Sequence, residues 1–343
     1  MQRISNWYFQ CYNRAINPLL LFAILFLLVL LPMGAMAVSD VTIGVCIYNG
    51  DDTFMASLQK ALEQNAPEEA TLIFFDSKND QNLQNDQVIQ LIDMGVDALI
   101  LNPVDRTASG YLIQRAKQQN LPIIFINREP LQEDIILYER AYYVGARATQ
   151  SGELSGKIMA DYFRTHPEAD KNGDEIIQYV LLKGEPGHQD AELRTQYALK
   201  TLQDYGFTLQ KLHEDTGMWQ RALAQDKMST FYAIHGEHIE CVFANNDDMA
   251  LGAIDALKAV GYFTEGKYMP VVGVDATEPA IESLVSGELL GTVLNDCDTQ
   301  SKATLQLAMA LIENNTLDAE SFSYPLENER YVFIPYQRIE SVE

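Results

Sequence analysis

Short apolar runs alternate with helix-period segments along most of the chain. "VTIGVCIYN" (41–49), "ATLIFFDS" (70–77), "VDALILNPV" (96–104) and "LPIIFIN" (121–127) read as strands buried on both faces, the pattern of a parallel sheet. Between them, "FMASLQKALEQNA", "QNDQVIQLIDMG" and "GYLIQRAKQQN" place apolar residues on one helical face, and the last two stop at Gly95 and Asn120, residue types that end helices. The alternation restarts with "EIIQYVLLKG" (175–184), "HIECVFANN" (238–246), "MPVVGVDAT" (269–277) and "LLGTVLND" (289–296). Two series of βα units predict two doubly wound parallel-sheet domains, since every parallel connection needs a covering crossover. A chain of 343 residues is long enough to give each its own core.

Open sheets of this kind bind ligands at the carboxyl ends of their strands. Those ends are densely polar here: Asn49, Asp51 and Asp52; Asn102 and Asp105; His188 and Asp190; Asn245, Asn246 and Asp247; Asp275; Asn295 and Asp296. Helix capping accounts for a few of them. Their recurrence in both halves predicts two polar walls facing one another.

The first 37 residues change the picture of where the chain works. Arg3 and Arg14, the apolar run from Leu19 to Leu31, and Ala35-Met36-Ala37 form the three parts of an export signal, with cleavage expected after Ala37. Thirteen apolar residues are short for a membrane span of about twenty. Loss of the two arginines takes the formal net charge from −24 to −26, the wrong sign for a nucleic-acid partner. Cys46, Cys241 and Cys297 then remain, an odd number with no disulfide framework, and the first two fall inside apolar strands as small hydrophobes.

The candidate chemistry is that of holding a ligand. There is no G-x-S-x-G turn for a nucleophile, no dinucleotide or phosphate cradle, and His235 and His238 lack the partners of a zinc motif. In "DKNGDEIIQ", Asp170, Asn172 and Asp174 alternate, Ile176 stands where a backbone carbonyl serves, and Gln178 holds the ninth place, the oxygen spacing of a calcium loop. Glu175 replaces the usual glycine and Leu181 the usual glutamate, so the spacing fits a solvated acidic turn equally well. Sugar hydroxyls need planar Asp, Asn and Arg groups, with aromatics against the ring. Asp52 with Phe54, the stretch "GEPGHQDAELR" (184–194) and Trp219 in "DTGMWQ" supply that mixture.

Together, "IYNGDDTFM", "DSKNDQNLQNDQ", "ALILNPVD", "AYYVG", "VLLKGEPGHQDAELR", "DTGMWQ", "ANNDDMALGAIDALKA", "VVGVDATEPA" and "GTVLNDCDTQSKAT" resemble the periplasmic glucose/galactose-binding protein family over nearly the whole chain after the signal. The resemblance implies a type I periplasmic binding protein fold: two α/β domains joined by a three-strand hinge around a cleft, over 38–129 with 296–325 and 130–295 with 326–343. It implies a monomer that delivers galactose or glucose to a membrane ABC permease, and in some bacteria to a chemoreceptor. Carried over by position, the sugar-contacting set is Asp52, Phe54, Asn102, His188, Asp190, Arg194, Trp219, Asn246, Asp275 and Asn295. Phe54 and Trp219 would sandwich the ring, Asp52 would accept the fourth hydroxyl in either epimer, and Asp190 and Arg194 would serve the anomeric end. The family's calcium loop also matches, with Glu240 in "HIECVF" supplying the carboxylate that the loop lacks.

Three rivals share parts of this pattern. A binding module serving only a chemoreceptor or sensor kinase would carry the same site. A sugar-responsive repressor would need a DNA-binding headpiece where the export signal stands. A glycosidase would need a carboxylate pair across the bond, for which Asp52 and Asp190 are the candidates.

Overall fold

The computed structural model describes residues 41–264, 266–314, 317 and 321–340. The expected export signal and its cleavage point lie outside these. Within Val41–Glu343, one compact unit, two six-stranded sheets form two lobes.

In chain order the first lobe builds β1 (Val41–Ile47), α1 (Thr53–Asn65), β2 (Ala70–Asp76), α2 (Gln81–Asp93), β3 (Ala98–Leu101), α3 (Ser109–Gln118), β4 (Ile123–Ile126), α4 (Gln132–Ile135) and β5 (Ala141–Gly145). The second builds α5 (Ala148–Thr165), β6 (Ile176–Lys183), α6 (Gln189–Asp204), β7 (Thr208–Thr216), α7 (Arg221–His235), β8 (Cys241–Ala244), α8 (Asp247–Lys258), β9 (Val271–Val272), α9 (Glu278–Val285) and β10 (Gly291–Leu294). The chain then returns through α10 (Cys297–Asn314) to the first lobe, adds β11 (Tyr331–Phe333) there, and ends with β12 (Gln337–Glu340) in the second.

The sheet orders are β11-β5-β4-β3-β1-β2 and β12-β10-β9-β8-β6-β7. All pairs are parallel except β10 with β12. Each sheet has apolar packing on both faces: Val45, Ile100 and Ile124 face one way and Cys46, Leu99 and Phe125 the other in the first lobe. Val180, Leu182 and Val242 oppose Tyr179, Leu181 and Phe243 in the second. This is why those strands read as unbroken apolar runs. The helix stops at Gly95 and Asn120 have left-handed φ of 78° and 55°, as a helix C-terminus requires. Cys46 and Cys241 are buried and unpaired, and burial pushes the Cys46 thiol up to about 12.

Two expectations need correction. β2 is an edge strand and only half-buried, because no strand covers its outer side. The lobe boundaries also move: β5 and β11, which the sequence placed in the second lobe, pair in the first sheet. The crossings therefore fall at 146–147, 295–296 and 334–336, and these three strands of chain are the hinge.

Both sheets carry the same switch in strand order, β2-β1-β3 and β7-β6-β8. At such a point the connections leave to opposite faces and open a crevice at the carboxyl ends. The crevice of one lobe lies beyond Ile47 and Leu101, that of the other beyond Lys183 and Ala244.

Candidate functional site

The polar ends gather in one cleft. Tyr48, Asp52, Phe54, Asn127 and Arg128 of the first lobe and His188, Asp190, Arg194, Trp219, Asn246 and Asp275 of the second line it, with Asn295 at a crossing. The cavity between the walls is small, about 30 Å³, because the lobes touch across it. Arg128 Nη2 donates to Glu185 Oε2 at 3.0 Å, Gln189 Nε2 to Glu129 Oε2 at 3.2 Å and Thr53 Oγ1 to Asp248 Oδ2 at 2.6 Å. This is a closed form, so a ligand enters only when the lobes part.

Local structure fixes each wall residue. Asp52 caps α1, its Oδ1 accepting the Met55 N–H at 2.9 Å while Oδ2 accepts the Tyr48 hydroxyl at 2.5 Å. A carboxylate offers about four acceptor positions, so two stay free for hydroxyl donors. Phe54, 7% exposed, follows on the first turn. Asn246 caps α8 through Met249 N–H (3.0 Å), and its amide donates to the Trp219 carbonyl (3.2 Å). That bond pins a tight turn in which Met218 and Trp219 both have left-handed φ, 52° and 64°. Asp275 also adopts an unusual φ of 119°, and non-glycine residues so held concentrate at binding sites.

His188 caps α6: its Nδ1 accepts the Asp190 N–H at 3.1 Å, so the ring proton sits on Nε2. Burial, then Arg128, Arg194 and Arg106, hold its pKa well below the usual 6.5. The ring is thus a neutral donor and packs edge-on to Trp219, centroids 5.1 Å apart. Nitrogen NMR is expected to show the neutral Nε2–H tautomer of His188 at pH 6, and an imidazolium spectrum there would refute it. As pH falls through 6.5 the unfolded chain takes the proton first, so the stability contributed by the neutral ring is present above that value and lost on acidification.

Arg194 lies one turn beyond Asp190 on α6. Its Nη1 donates to the Asn245 carbonyl (2.7 Å), and its Nη2 stands 3.5 Å from Asp190 Oδ2 and 3.7 Å from Asp275 Oδ1. Burial raises the pKa of both carboxyls, and Arg194 is the largest force opposing the rise. Asn295 donates to Asp275 Oδ1 at 3.5 Å and accepts from Gln300 at 2.6 Å. With Asp52 counted, three carboxylates face Arg194 and Arg128, and Arg128 is already paired with Glu185. The balance favours a neutral ligand rich in hydroxyl donors over an anionic one. Among the described residues, Trp219 Nε1 and Arg194 Nε are buried polar atoms without a partner.

Nine of the ten residues expected from the sequence meet here. Asn102 does not: it is fully buried behind the wall, its Nδ2 donating to the Ile126 carbonyl at 2.9 Å and its Oδ1 accepting the Tyr48 N–H at 3.3 Å. Both halves of the amide tie β3 to its neighbouring strands. Tyr48, Asn127 and Arg128 were missed. Asn127 ends the fourth apolar run just as Asp275 ends the "MPVVGVD" run, and that position was the available signal. Arg128 stacks its guanidinium 3.6 Å from the centre of the Tyr48 ring.

The acidic loop lies apart from the cleft, leading into β6. Asp170 accepts the N–H groups of Gly173 (2.8 Å) and Glu175 (2.9 Å), and Asp174 accepts that of Ile176 (2.9 Å). Asn172 and Gln178 both donate to Asp174 Oδ2, at 3.0 and 2.9 Å. Glu240, 1% exposed, accepts the backbone N–H groups of Lys171 (2.7 Å) and Gln178 (2.9 Å). Glu175 takes the left-handed φ of 61° that a glycine usually serves. Among the described residues no group of three His, Cys, Asp or Glu side chains is arranged to hold a metal ion. Gln178 Oε1 is nevertheless buried without a partner, and the donor set is all oxygen, as a hard cation demands.

Residues 43–316 match the periplasmic binding protein domain, and the chain belongs to that family of solute-binding proteins. It is 42% identical over 301 residues to the D-galactose/methyl-galactoside binding periplasmic protein of Haemophilus influenzae, covering 87% of this chain and 89% of that one. A putative rhizopine-binding protein of Rhizobium meliloti is 31% identical, with the same coverage. Among solved structures, an ABC transporter solute binding protein from Bacillus halodurans with bound myo-inositol superposes with a TM-score of 0.73 at 28% identity, covering 88% of this chain and 94% of that chain. The lobes and hinge are those of the type I fold, and the family members are binding proteins, not enzymes. No helix among the described residues is long and apolar enough to cross a membrane.

Proposed function

We propose that the protein captures D-galactose or D-glucose in its cleft by hinge closure and delivers it to an ABC importer from the periplasm, after cleavage of its signal behind Ala37. The observation that carries this reading is the ring of planar carboxylate, amide and guanidinium groups, Asp52, Asp190, Arg194, Asn246, Asp275 and Asn295, that lines one cleft together with Phe54 and Trp219. Closure strips water from every hydroxyl, and each one left unpaired costs about 1 to 3 kcal/mol. A site so dense in planar groups therefore discriminates among sugars by their missing or misplaced hydroxyls. The names of the Haemophilus and Bacillus relatives, a galactose/galactoside binder and a structure with myo-inositol, support a neutral polyhydroxylated ring. Delivery to a permease is favoured over a purely chemosensory role, and we infer a monomer as the working form.

A tryptophan-fluorescence titration against a panel of monosaccharides tests the reading. Trp7 and Trp219 are the two tryptophans of the chain, and Trp7 leaves with the signal, so the signal reports on the cleft. Saturable quenching or enhancement by galactose or glucose, but not by sugar acids, is the expected result; a flat response to every hexose would sink the proposal.

We propose further that Asp170, Asn172, Asp174, the Ile176 carbonyl, Gln178 and Glu240 hold a structural calcium ion. The unpartnered Gln178 Oε1 supports this, since a cation would satisfy it. A bound ion stabilises by mass action, so a chelator is expected to lower Tm by several degrees with little change in sugar affinity. Glu240→Ala should lower Tm and abolish the chelator effect, and a Tm indifferent to both calcium and chelator would count against the ion.

A further inference from the structure

The third crossing brings a hydroxyl to the buried edge of the cleft. Tyr336 stands between β11 and β12, 5% exposed, and its hydroxyl accepts from Arg194 Nη2 at 3.1 Å. The two carboxylates beside the same nitrogen are farther, at 3.5 and 3.7 Å, so the tyrosine makes its closest contact. The backbone on either side is anchored to other parts of the hinge. Tyr336 N–H donates to Gln150 Oε1 of α5 at 3.1 Å, and Ile334 N–H donates to the Gly145 carbonyl at 2.7 Å, where the first crossing begins.

We propose that Tyr336 is a positioning residue for the binding cleft. Its hydroxyl holds the Arg194 guanidinium in the plane that faces the ligand, and it does so from the segment that bends when the lobes close. Arg194 has Nη1 on the Asn245 carbonyl, which fixes one end of the fork; Tyr336 fixes the other. A side chain held at both ends loses little freedom when a ligand arrives. Because one of those holds lies on the hinge, the lobe angle and the orientation of Arg194 are set together. Tyr336 packs into the core of the second lobe with Tyr179, Val274 and Val293, the lobe that carries Arg194, so the hold is in place before a ligand arrives. The contact therefore pre-orients Arg194 for the ligand.

This inference rests on the sugar-binding reading above and is tested by Tyr336→Phe, which keeps the ring and removes the hydroxyl. The dissociation constant for galactose or glucose is expected to rise about tenfold, the scale of one lost bond to a charged group. Most of the change should appear in a faster off-rate. The Tm of the protein without sugar should fall by a few degrees for the lost buried bond, and the Tm gained on adding saturating sugar should shrink as well. An unchanged dissociation constant would overturn the proposal, as would equal losses of Tm with and without sugar, which mark a merely structural role. If the parent protein binds neither hexose, it is the sugar-binding reading that has failed.

Discussion

Asp52→Ala is expected to weaken galactose and glucose binding by on the order of a hundredfold or more in isothermal titration. Oδ1 and Oδ2 each have one protein donor, Met55 N–H and the Tyr48 hydroxyl, and each keeps one acceptor position for the ligand. Two hydrogen bonds to a charged acceptor contribute about 3 kcal/mol or more together, and 1.4 kcal/mol is tenfold in affinity. The Tyr48 hydroxyl would also lose the acceptor that aims it. Since Asp52 caps α1, the alanine variant should lose about 1 kcal/mol of stability as well. Asp52→Asn separates the two effects: it keeps an oxygen for the cap and presents an amide donor to the sugar. Its Tm should stay near the parent's while its affinity falls. Parent-like affinity in Asp52→Ala would remove this residue from the site.

Gly184→Ala is expected to disable the opposite wall without touching a polar group. A methyl at Gly184 would stand 2.1 Å from Cη2 and 2.2 Å from Cζ2 of Trp219, well inside contact distance, so the indole cannot stay where it is. Nor can it slide freely, because its turn is held by two left-handed residues and by the Asn246 bond to its carbonyl. The ring must swing toward solvent. Overpacking of this kind costs about 1 to 3 kcal/mol of stability, and the lost stacking should weaken hexose binding by about tenfold or more. A red-shifted tryptophan emission that no longer responds to sugar is the accompanying readout. If Gly184→Ala binds and fluoresces like the parent, Trp219 is not a wall of the cleft.

Much of this was legible in the sequence, and the reason is the burial of parallel strands. β1, β3, β4, β6, β8 and β10 lie inside sheets covered on both faces, so their residues had to be apolar without alternation. Polar residues at their ends stood out by contrast, and most of them are helix caps and cleft walls at once: Asp52, His188 and Asn246 each accept a backbone N–H at the start of a helix. What escaped was of two kinds. β7, with "TLQKLHEDT", is a half-exposed edge strand whose polar residues hid it. β5 and β11 are short strands beside the crossings, and nothing in their own residues says which sheet they join. Asn102, the tenth expected residue, sits behind the wall for a related reason. A polar residue at a strand end can turn toward the cleft or tie the strands behind it, and only the positions of Ile126 and Tyr48 decide.

The return of the chain through α10, β11 and β12 bears on how the protein is made. Residues 331–333 complete one sheet and residues 337–340 the other, while Ala303, Leu307 and Leu311 of α10 fill the core under β1 and β4. Neither lobe can finish folding on the ribosome ahead of the other, because both wait for the last stretch to be synthesised. Were the chain exported unfolded, late completion would protect it: the segments emerging first have no finished core to collapse onto. A truncation just after residue 330 would leave both sheets open at an edge and should yield aggregating chains, not one good lobe and one bad.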